Sequence, residues 1–393
     1  MTEAQTLLVI LALLYLAECL VWVPRSAALL RIWGRELGRL TFGVSHFGNS
    51  RGSLALAPPL PMLGHVLLAT QPGLSISPEM LVAFVPFTLH PAGCPLQTAH
   101  SFSWEAIRHT AVSNRTLLIN DRPILRAATP QTAVRLMRQI DAIRQSPPAQ
   151  RAALLERSIE QSFDLSAARL RWQDFRGAVQ PLRCLASALF VFLFGLAPLA
   201  AWRWGLTRVW LPLLIGLLAL SAATAWRFRR LHLEWYPDAS DDRFARFLMV
   251  LLSPVAAMRA ADFLARPLLE SYHPLVLARL GCGDPDFRPF ARRVLLDMRH
   301  PAHPATPSSD PAEAAAVQFA RHQWLRAIEA FLQKQRIDPD DLDRPPDRLE
   351  DSCRSYCPRC EAQFTFAAGH CPDCGGLPTR PFSGAGTDPA PPP

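Results

Sequence analysis

Three apolar stretches constrain the fold of this 393-residue chain more than any other feature. They run from Leu7 to Val23, from Cys184 to Ala201 and from Val209 to Trp226. About 20 apolar residues form a helix that crosses the hydrocarbon core of a bilayer. The first stretch predicts a transmembrane anchor at residues 1–23. The second and third, joined by a short turn with tryptophans on either side, predict a transmembrane helical hairpin at residues 181–228.

Arginines beside these stretches predict how the chain is oriented. No arginine precedes the first stretch, and four follow it: Arg25, Arg31, Arg35 and Arg39. Three arginines precede the hairpin, Arg171, Arg176 and Arg183, and three follow it, Arg227, Arg229 and Arg230. Positive residues flank membrane helices on the cytoplasmic side. We therefore expect an integral protein of the cell membrane, with its N-terminus outside and the bulk of the chain in the cytoplasm.

The fourth apolar stretch, Phe247 to Ala265, has two interpretations. It contains Pro254, Arg259 and Asp262, which disfavour a simple crossing. A crossing would also place the C-terminal cysteines outside, where thiolates oxidise. We expect instead a helix that lies on the membrane or packs on the hairpin, within a helical, membrane-associated region at residues 229–299.

Residues 24–150 have the pattern of a β-rich cytoplasmic domain closed by a helix. Short apolar runs alternate with Gly, Pro, Asn and Ser from Leu40 to Arg126, and Asn120-Asp121 stands between two such runs as a hairpin turn. Pro130 suits the first position of a helix that ends before Ser146. With the helices elsewhere, the expected fold class is α+β.

This region resembles the pleckstrin-homology-like domains of bacteria over residues 40–145. The resemblance is carried by Ser103-Trp104-Glu-Ala-Ile107 and the strand-rich stretch after it. It implies a small barrel of strands closed by one amphipathic helix.

Two further segments complete the organisation. Residues 151–180 predict amphipathic helices that end at Pro181, directly before the hairpin. Residues 300–351 predict a linker that contains an amphipathic helix, Ala312 to Gln335, and an acidic run at 338–351. Seven acidic residues against two arginines make that run a solvated linker by expectation. Residues 383–393 predict a disordered tail.

Two cysteine pairs near the C-terminus indicate a metal site. Cys357-Pro-Arg-Cys360 and Cys371-Pro-Asp-Cys374 are ten residues apart. Each pair aims two thiolates at one point, so the four supply a closed tetrahedral site and indicate structural zinc. Two disulfides or free thiols are the alternative, and Cys353 could replace one of the four ligands. The other cysteines have no regular spacing, which favours a reducing compartment.

The segment Tyr356 to Phe382 resembles the zinc-ribbon family, with Gly375 and Gly376 after the second pair. We place this domain at residues 352–382. The resemblance implies a small module that binds protein or nucleic acid, and it implies no reaction.

Three functions are open at this stage. The sequence has no P-loop and no H-E-x-x-H, so we predict no catalytic residues and favour a non-enzymatic membrane-anchored adaptor with a protein partner. The second is a membrane-tethered nucleic-acid-binding regulator, disfavoured because residues 352–382 carry a net charge of only +1. The third is a subunit of a membrane enzyme or transport complex that uses Glu18 within the bilayer.

Overall fold

The computed structural model describes residues 2–22, 28–29, 38–39, 51–53, 66–68, 74–84, 98–127, 130–237, 243–258, 260–269, 271–281, 284–300, 310–374 and 376–382. Helix and sheet are mixed, as expected. The helices are α1 Glu3–Trp22, α2 Pro130–Gln145, α3 Pro148–Ser162, α4 Leu165–Val191, α5 Ala197–Trp204, α6 Leu206–Trp235, α7 Arg243–Leu252, α8 Pro254–Met258, α9 Ala260–Leu269, α10 Pro274–Gly281, α11 Asp284–Arg299, α12 Pro311–Lys334 and α13 Pro339–Leu342. The strands are β1 Ala28–Leu29, β2 Gly38–Arg39, β3 Arg51–Ser53, β4 Val66–Leu68, β5 Leu74–Ile76, β6 Met80–Phe84, β7 Thr98–Ser103, β8 Thr110–Ser113, β9 Thr116–Ile119, β10 Arg122–Arg126, β11 Ser355–Tyr356, β12 Gln363–Phe364, β13 His370–Cys371, β14 Leu377–Pro378 and β15 Arg380–Pro381.

Helices α4 and α5 form one continuous helix of 40 residues, Leu165–Trp204. The expected boundary at Pro181 is wrong, because this proline lies inside α4. A proline in a helix interior costs about 3 kcal/mol. Here Val179 and Leu182, on either side of it, are fully buried in the helical core, and that packing keeps the helix intact.

The single residue Gly205 connects this helix to α6, so the turn is shorter than the sequence predicts. Gly205 has φ +77°, a conformation that a residue with a Cβ rarely adopts. The two helices then run antiparallel, and the ring of Phe175 meets the ring of Trp235 edge to face at 5.2 Å. Each of these two aromatic residues is 30 positions from Gly205, which sets the register of the hairpin. Among the described residues, two helices are long and apolar enough to cross a membrane, Leu165–Trp204 and Leu206–Trp235.

The stretch 247–265 folds as parts of three short helices, α7, α8 and α9, that pack against α4 and α6. Alanines make this close approach possible, because small side chains let helix backbones come together. The buried ones are Ala256, Ala257, Ala260, Ala261 and Ala265. The stretch is thus broken into short helices that contact both helices of the hairpin.

The strands between 74 and 126 form two antiparallel three-stranded sheets, β5-β6-β7 and β10-β9-β8. Helix α2 packs on β8 and β9. The side chains of Trp104 and Ile107 are buried in the core that the two sheets and α2 form. The indole Nε1 of Trp104 donates to the carbonyl oxygen of Ser77 over 3.1 Å. The predicted turn at Asn120-Asp121 is confirmed, with φ +50° and +64°. Strands β1–β4 form a separate sheet in the order β2-β1-β4-β3.

Helix α12 connects the sheets to the helical core. Near its N-terminus, Ala316 packs against Val82 and Phe84 of β6. Near its C-terminus, Ile328 and Leu332 are buried in the helical core. The predicted amphipathic helix is confirmed. Its N-terminal part packs on the sheet that contains β6, and its C-terminal part packs in the helical core.

The acidic run at 338–351 is not the solvated linker expected from its composition. Part of it forms α13, which Asp338 caps by accepting from the amide of Asp340. Arg299 at the end of α11 bonds to Asp343 at 3.1 Å and to Asp340 at 3.0 Å, and also to Glu329 of α12 at 2.7 Å. Burial disfavours the charge of Arg299, but these hydrogen bonds outweigh burial and raise its pKa. The acidic run therefore fixes α13 and the chain that follows to the helical core.

Candidate metal centre

Two similar turns position the four cysteines of residues 352–382, called the cysteine module below. In the first turn, the amide of Glu361 donates to the carbonyl oxygen of Cys357 over 2.9 Å, and the amide of Cys357 donates to Ala362 over 2.8 Å. In the second, the amide of Gly376 donates to the carbonyl oxygen of Cys371 over 2.9 Å. Each turn therefore folds the chain back and brings its own pair of thiols together.

The two turns face one another because each continues a short sheet. The first turn connects β11 and β12 in the sheet β12-β11-β15, and the second connects β13 and β14. The four Sγ atoms of Cys357, Cys360, Cys371 and Cys374 all lie within 4.8 Å of one another. The structure thus brings together all four cysteines that the sequence singled out.

The sulfur distances distinguish a metal site from disulfides. The Sγ atoms of Cys360 and Cys371 are 3.6 Å apart, whereas a disulfide requires about 2.05 Å. Four sulfurs at about 2.3 Å from one tetrahedral ion are about 3.8 Å from each other. All four thiols are free, so the arrangement fits a metal ion better than the alternative of two disulfides.

Electrostatics also favour a cation at the centre of the cluster. Hydrogen bonds from Cys360 and Cys374 lower the pKa of Cys357. Burial raises the pKa of Cys371 to about 12, and the hydrogen bond to Cys357 raises the pKa of Cys374. These shifts in opposite directions reflect the repulsion between like charges at this distance. A bound metal ion would let all four cysteines ionise.

Cys353 does not belong to the cluster. Its side chain is buried with Tyr356 and Phe382, in a separate small core beneath the sheet β12-β11-β15. Cys353 therefore does not replace any of the four ligands. The side chain of Glu18, considered for a role within the bilayer, lies outside the described residues.

The first turn of the cysteine module docks on α11 through two ion pairs. Nε of Arg359 donates to Oδ1 of Asp297 over 2.9 Å, and Arg292 pairs with Glu361. Glu361 has φ +63°, in a position where glycine is usual. Sequence reasoning missed these residues, because Asp297 and Arg359 are 62 positions apart and no local pattern connects them.

The remaining half of the cysteine module faces solvent. The loop 365–368 and the residues Pro372 and Asp373 of the second turn are exposed. The rings of Phe364 and Phe366 stack at 4.8 Å, and Phe366 is 40% exposed. The module therefore has one fixed side on α11 and one free side with an aromatic residue on it.

Comparison with known proteins identifies no relative of this chain. No protein-family model matches it, no curated protein matches it and no solved structure matches it.

Proposed function

We propose that this protein is a non-enzymatic adaptor of the cell membrane. In this proposal α4–α5 and α6 cross the bilayer as a hairpin, and the cysteine module holds structural zinc in the cytoplasm. The free side of the module binds a protein partner. The observation that carries the proposal is that the contacts holding the module come from its first turn and from Gln363 and Arg380, which leaves Phe366 and the second turn accessible.

The spacing of charges along the hairpin supports insertion in a bilayer. Between Arg183 and Arg203 there are 19 residues without a charged side chain, and between Arg208 and Arg227 there are 18. At about 1.5 Å per residue these segments are each about 28 Å long. The hydrocarbon core of a bilayer is about 30 Å thick, so the charged residues stand at its two boundaries.

The surface of the hairpin also supports a lipid environment. Large apolar side chains of both helices are more than half exposed: Val191, Leu196, Leu199, Trp210, Ile215 and Leu218. Monomeric soluble proteins rarely expose so continuous an apolar surface. Lipid chains would cover it at no cost.

One contact supports the expected orientation. The carboxylate of Glu3 accepts a hydrogen bond from the amide of Leu206 over 3.1 Å, so the start of α1 lies beside the hairpin turn. Both then belong on one side of the membrane. Because most of the flanking arginines are at the opposite ends of these helices, that side is the exterior.

Structural zinc follows from the donor set. Four buried or half-buried cysteines leave no position open for water or substrate. Thiolates select soft ions such as zinc. The module is therefore a rigid support for its exposed surface and has no catalytic role in this proposal.

The test is affinity capture of the full chain from membranes solubilised in mild detergent, with Phe366→Ala compared with the native chain. A second variant, Gly369→Ala, acts on the same ring, because a Cβ at Gly369 would come within 2.6 Å of Phe366. Leu170→Ala, an exposed residue of α4, is the matched control. A partner that the native chain and the control capture equally, and that both module variants lose at least fivefold, is the expected result.

Capture that is unchanged in both module variants would contradict the adaptor proposal. The competing nucleic-acid function predicts a different result. Bound DNA or RNA would then dissociate steeply with added salt, because phosphate contacts release counterions. Neither the charge of the module nor its acidic neighbours favour that result.

A further inference from the structure

Four arginines gather where the hairpin meets its cytoplasmic end. They are Arg183 of α4 and Arg227, Arg229 and Arg230 of α6, called the arginine belt below. Arg229 and Arg230 are exposed, and Arg183 and Arg227 are half-buried. Each charge is next to the uncharged segment that we place in the bilayer.

The register of the hairpin puts these residues at one level. Phe175 and Trp235 meet and are equally distant from Gly205. Arg183 and Arg227 are each 22 positions from Gly205, so they stand opposite each other, about 33 Å along the helices from the turn. Arg229 and Arg230 follow within the next turn of α6. The four backbone positions therefore lie within about 5 Å of one level, near one bilayer thickness from the exterior end.

Two acidic residues on these helices lie nearest to the belt. They are Asp174, nine residues from Arg183, and Glu234, four residues from Arg230. These separations are about 13 and 6 Å along the axis. Within the described part of the chain, no ion pair joins them to the belt.

Two of the belt residues also keep buried donors without a partner. The Nε atoms of Arg183 and Arg227 are buried and form no hydrogen bond within the part of the chain that the structure describes. A buried donor without an acceptor is costly, about 1–3 kcal/mol in general. Atoms this buried are closed to a ligand from outside, so such a ligand would first meet the exposed side chains of Arg229 and Arg230.

The belt continues to the neighbouring helix α7. The guanidinium of Arg229 lies 5.8 Å from the ring centre of Phe247, which orients it along the protein surface. Phe244, one turn earlier in α7, is exposed. An aromatic side chain beside cationic groups suits the interface between headgroups and acyl chains.

We propose that the arginine belt binds the headgroup phosphates of anionic phospholipids in the cytoplasmic leaflet. Guanidinium groups bind phosphate oxygens in pairs of hydrogen bonds, and four positive charges that form no ion pair with a described carboxylate prefer a lipid with net negative charge to a zwitterionic one. This inference rests on the proposed membrane hairpin. It adds the class of lipid and the residues that select it.

The test uses the full chain, purified in neutral detergent and titrated with phosphatidylglycerol or phosphatidylcholine, with bound lipid counted by native mass spectrometry. We expect the native chain to prefer phosphatidylglycerol at least tenfold. Each basic residue near an anionic surface is worth about fivefold in binding. The variant Arg227→Gln/Arg229→Gln/Arg230→Gln should therefore lose the preference.

The matched control changes arginines at the exterior end of the same helices. Arg203→Gln/Arg208→Gln removes two charges from the same hairpin and should keep the preference. If the triple variant does not fold, the exposed single change Arg229→Gln should still weaken phosphatidylglycerol binding about fivefold. Arg229→Lys keeps the charge but not the paired hydrogen bonds, so its loss should be smaller.

Three results would overturn the inference. These are equal binding of the two lipids to the native chain, an unchanged preference in the triple variant, and displacement of phosphatidylglycerol by millimolar inorganic phosphate, which would make the belt a site for the free anion. Extraction of membranes with alkaline carbonate separates this inference from the proposed function. A chain that stays in the membrane without lipid preference disproves only the belt, whereas a chain that is released disproves the membrane hairpin itself.

Discussion

Arg359 in the first cysteine turn and Asp297 in α11 form an ion pair with 2.9 Å between Nε and Oδ1. The side chain of Arg359 is 9% exposed and that of Asp297 is 17% exposed, so solvent screens the pair little. This contact, with the neighbouring pair of Arg292 and Glu361, holds the cysteine module on the helical core.

Asp297→Asn should release the module from α11. Removing one partner of a buried ion pair leaves the other charge uncompensated, at about 3 kcal/mol or more. Hydrogen exchange of residues 352–382 should become faster, while that of α4 and α6 stays unchanged. Asp351→Asn, at an exposed position, is the control. The double variant Asp297→Leu/Arg359→Met should recover part of the protection, and equal exchange in the single variant and the native chain would contradict the docking role of this pair.

The chain should bind one zinc ion per molecule through the four cysteines. Metal analysis of the purified protein should give a ratio near one, and a strong chelator should remove the ion and unfold the module, because metal binding and folding are coupled in small sites. Cys371→Ser should lower zinc affinity strongly, whereas Cys353→Ser should keep full zinc content. A module that keeps its near-ultraviolet circular dichroism after complete removal of zinc would sink this prediction.

Gly205→Ala and Gly177→Ala should have opposite effects on stability. Gly205 has φ +77°, so alanine there costs about 2 kcal/mol of backbone strain. Gly177 is in the interior of α4 with no atom within 4 Å of a Cβ, so alanine there should stabilise the helix by about 1 kcal/mol. Thermal unfolding in detergent measures both, and a destabilised Gly177→Ala chain would show that the hairpin packs differently.

The stability of the protein should decrease as pH falls below about 6.5, partly because of His273. Burial lowers the pKa of His273 from 6.5 to about 3. Its ring stacks on Phe163 at 4.4 Å, and its Nδ1 accepts from the amide of Leu275 over 3.3 Å. Below pH 6.5 the unfolded chain binds a proton that the folded chain does not. This group's full contribution is therefore present above pH 6.5 and is lost as pH falls toward 3, by about 1.4 kcal/mol per pH unit.

His273→Asn isolates this effect, because asparagine keeps an acceptor for Leu275 and does not titrate. The free energy of unfolding of the variant should depend less on pH between 6.5 and 4 than that of the native chain. The difference between the two chains cancels the contribution of other groups, such as His300, whose pKa burial also lowers. Parallel pH profiles of the two chains would show that folding does not lower the pKa of His273.

Local sequence patterns predicted the elements that depend on neighbouring residues. The spacing of the cysteine pairs gave the two turns, since each turn spans only a few residues. The turn at Asn120-Asp121 follows from the tolerance of these residues for positive φ. The stripe of apolar residues along α12 predicted an amphipathic helix, and Ile328 and Leu332 of that stripe are buried.

Interactions between distant segments could not be predicted in this way. Pro181 is a helix breaker by local chemistry, yet α4 continues through it because its neighbours are buried against other helices. The acidic run has the composition of a linker, but Arg299 of α11 binds Asp340 and Asp343 from it. Local conformational preferences are worth about 1–3 kcal/mol of free energy. The free energy gained from packing and ion pairing opposes them here and is larger.

The sequence by itself determined that this protein has apolar helices joined as a hairpin and a cluster of four cysteines. Both features result from residue types and spacings within about 20 residues of each other. Only the tertiary structure decided that the cysteine module docks on α11, that Cys353 is not in the cluster, and that Arg183 and Arg227 stand at one level. Those results depend on contacts across up to 69 positions, for which periodicity and composition contain no signal, because the partners become neighbours only when the helices and sheets pack together.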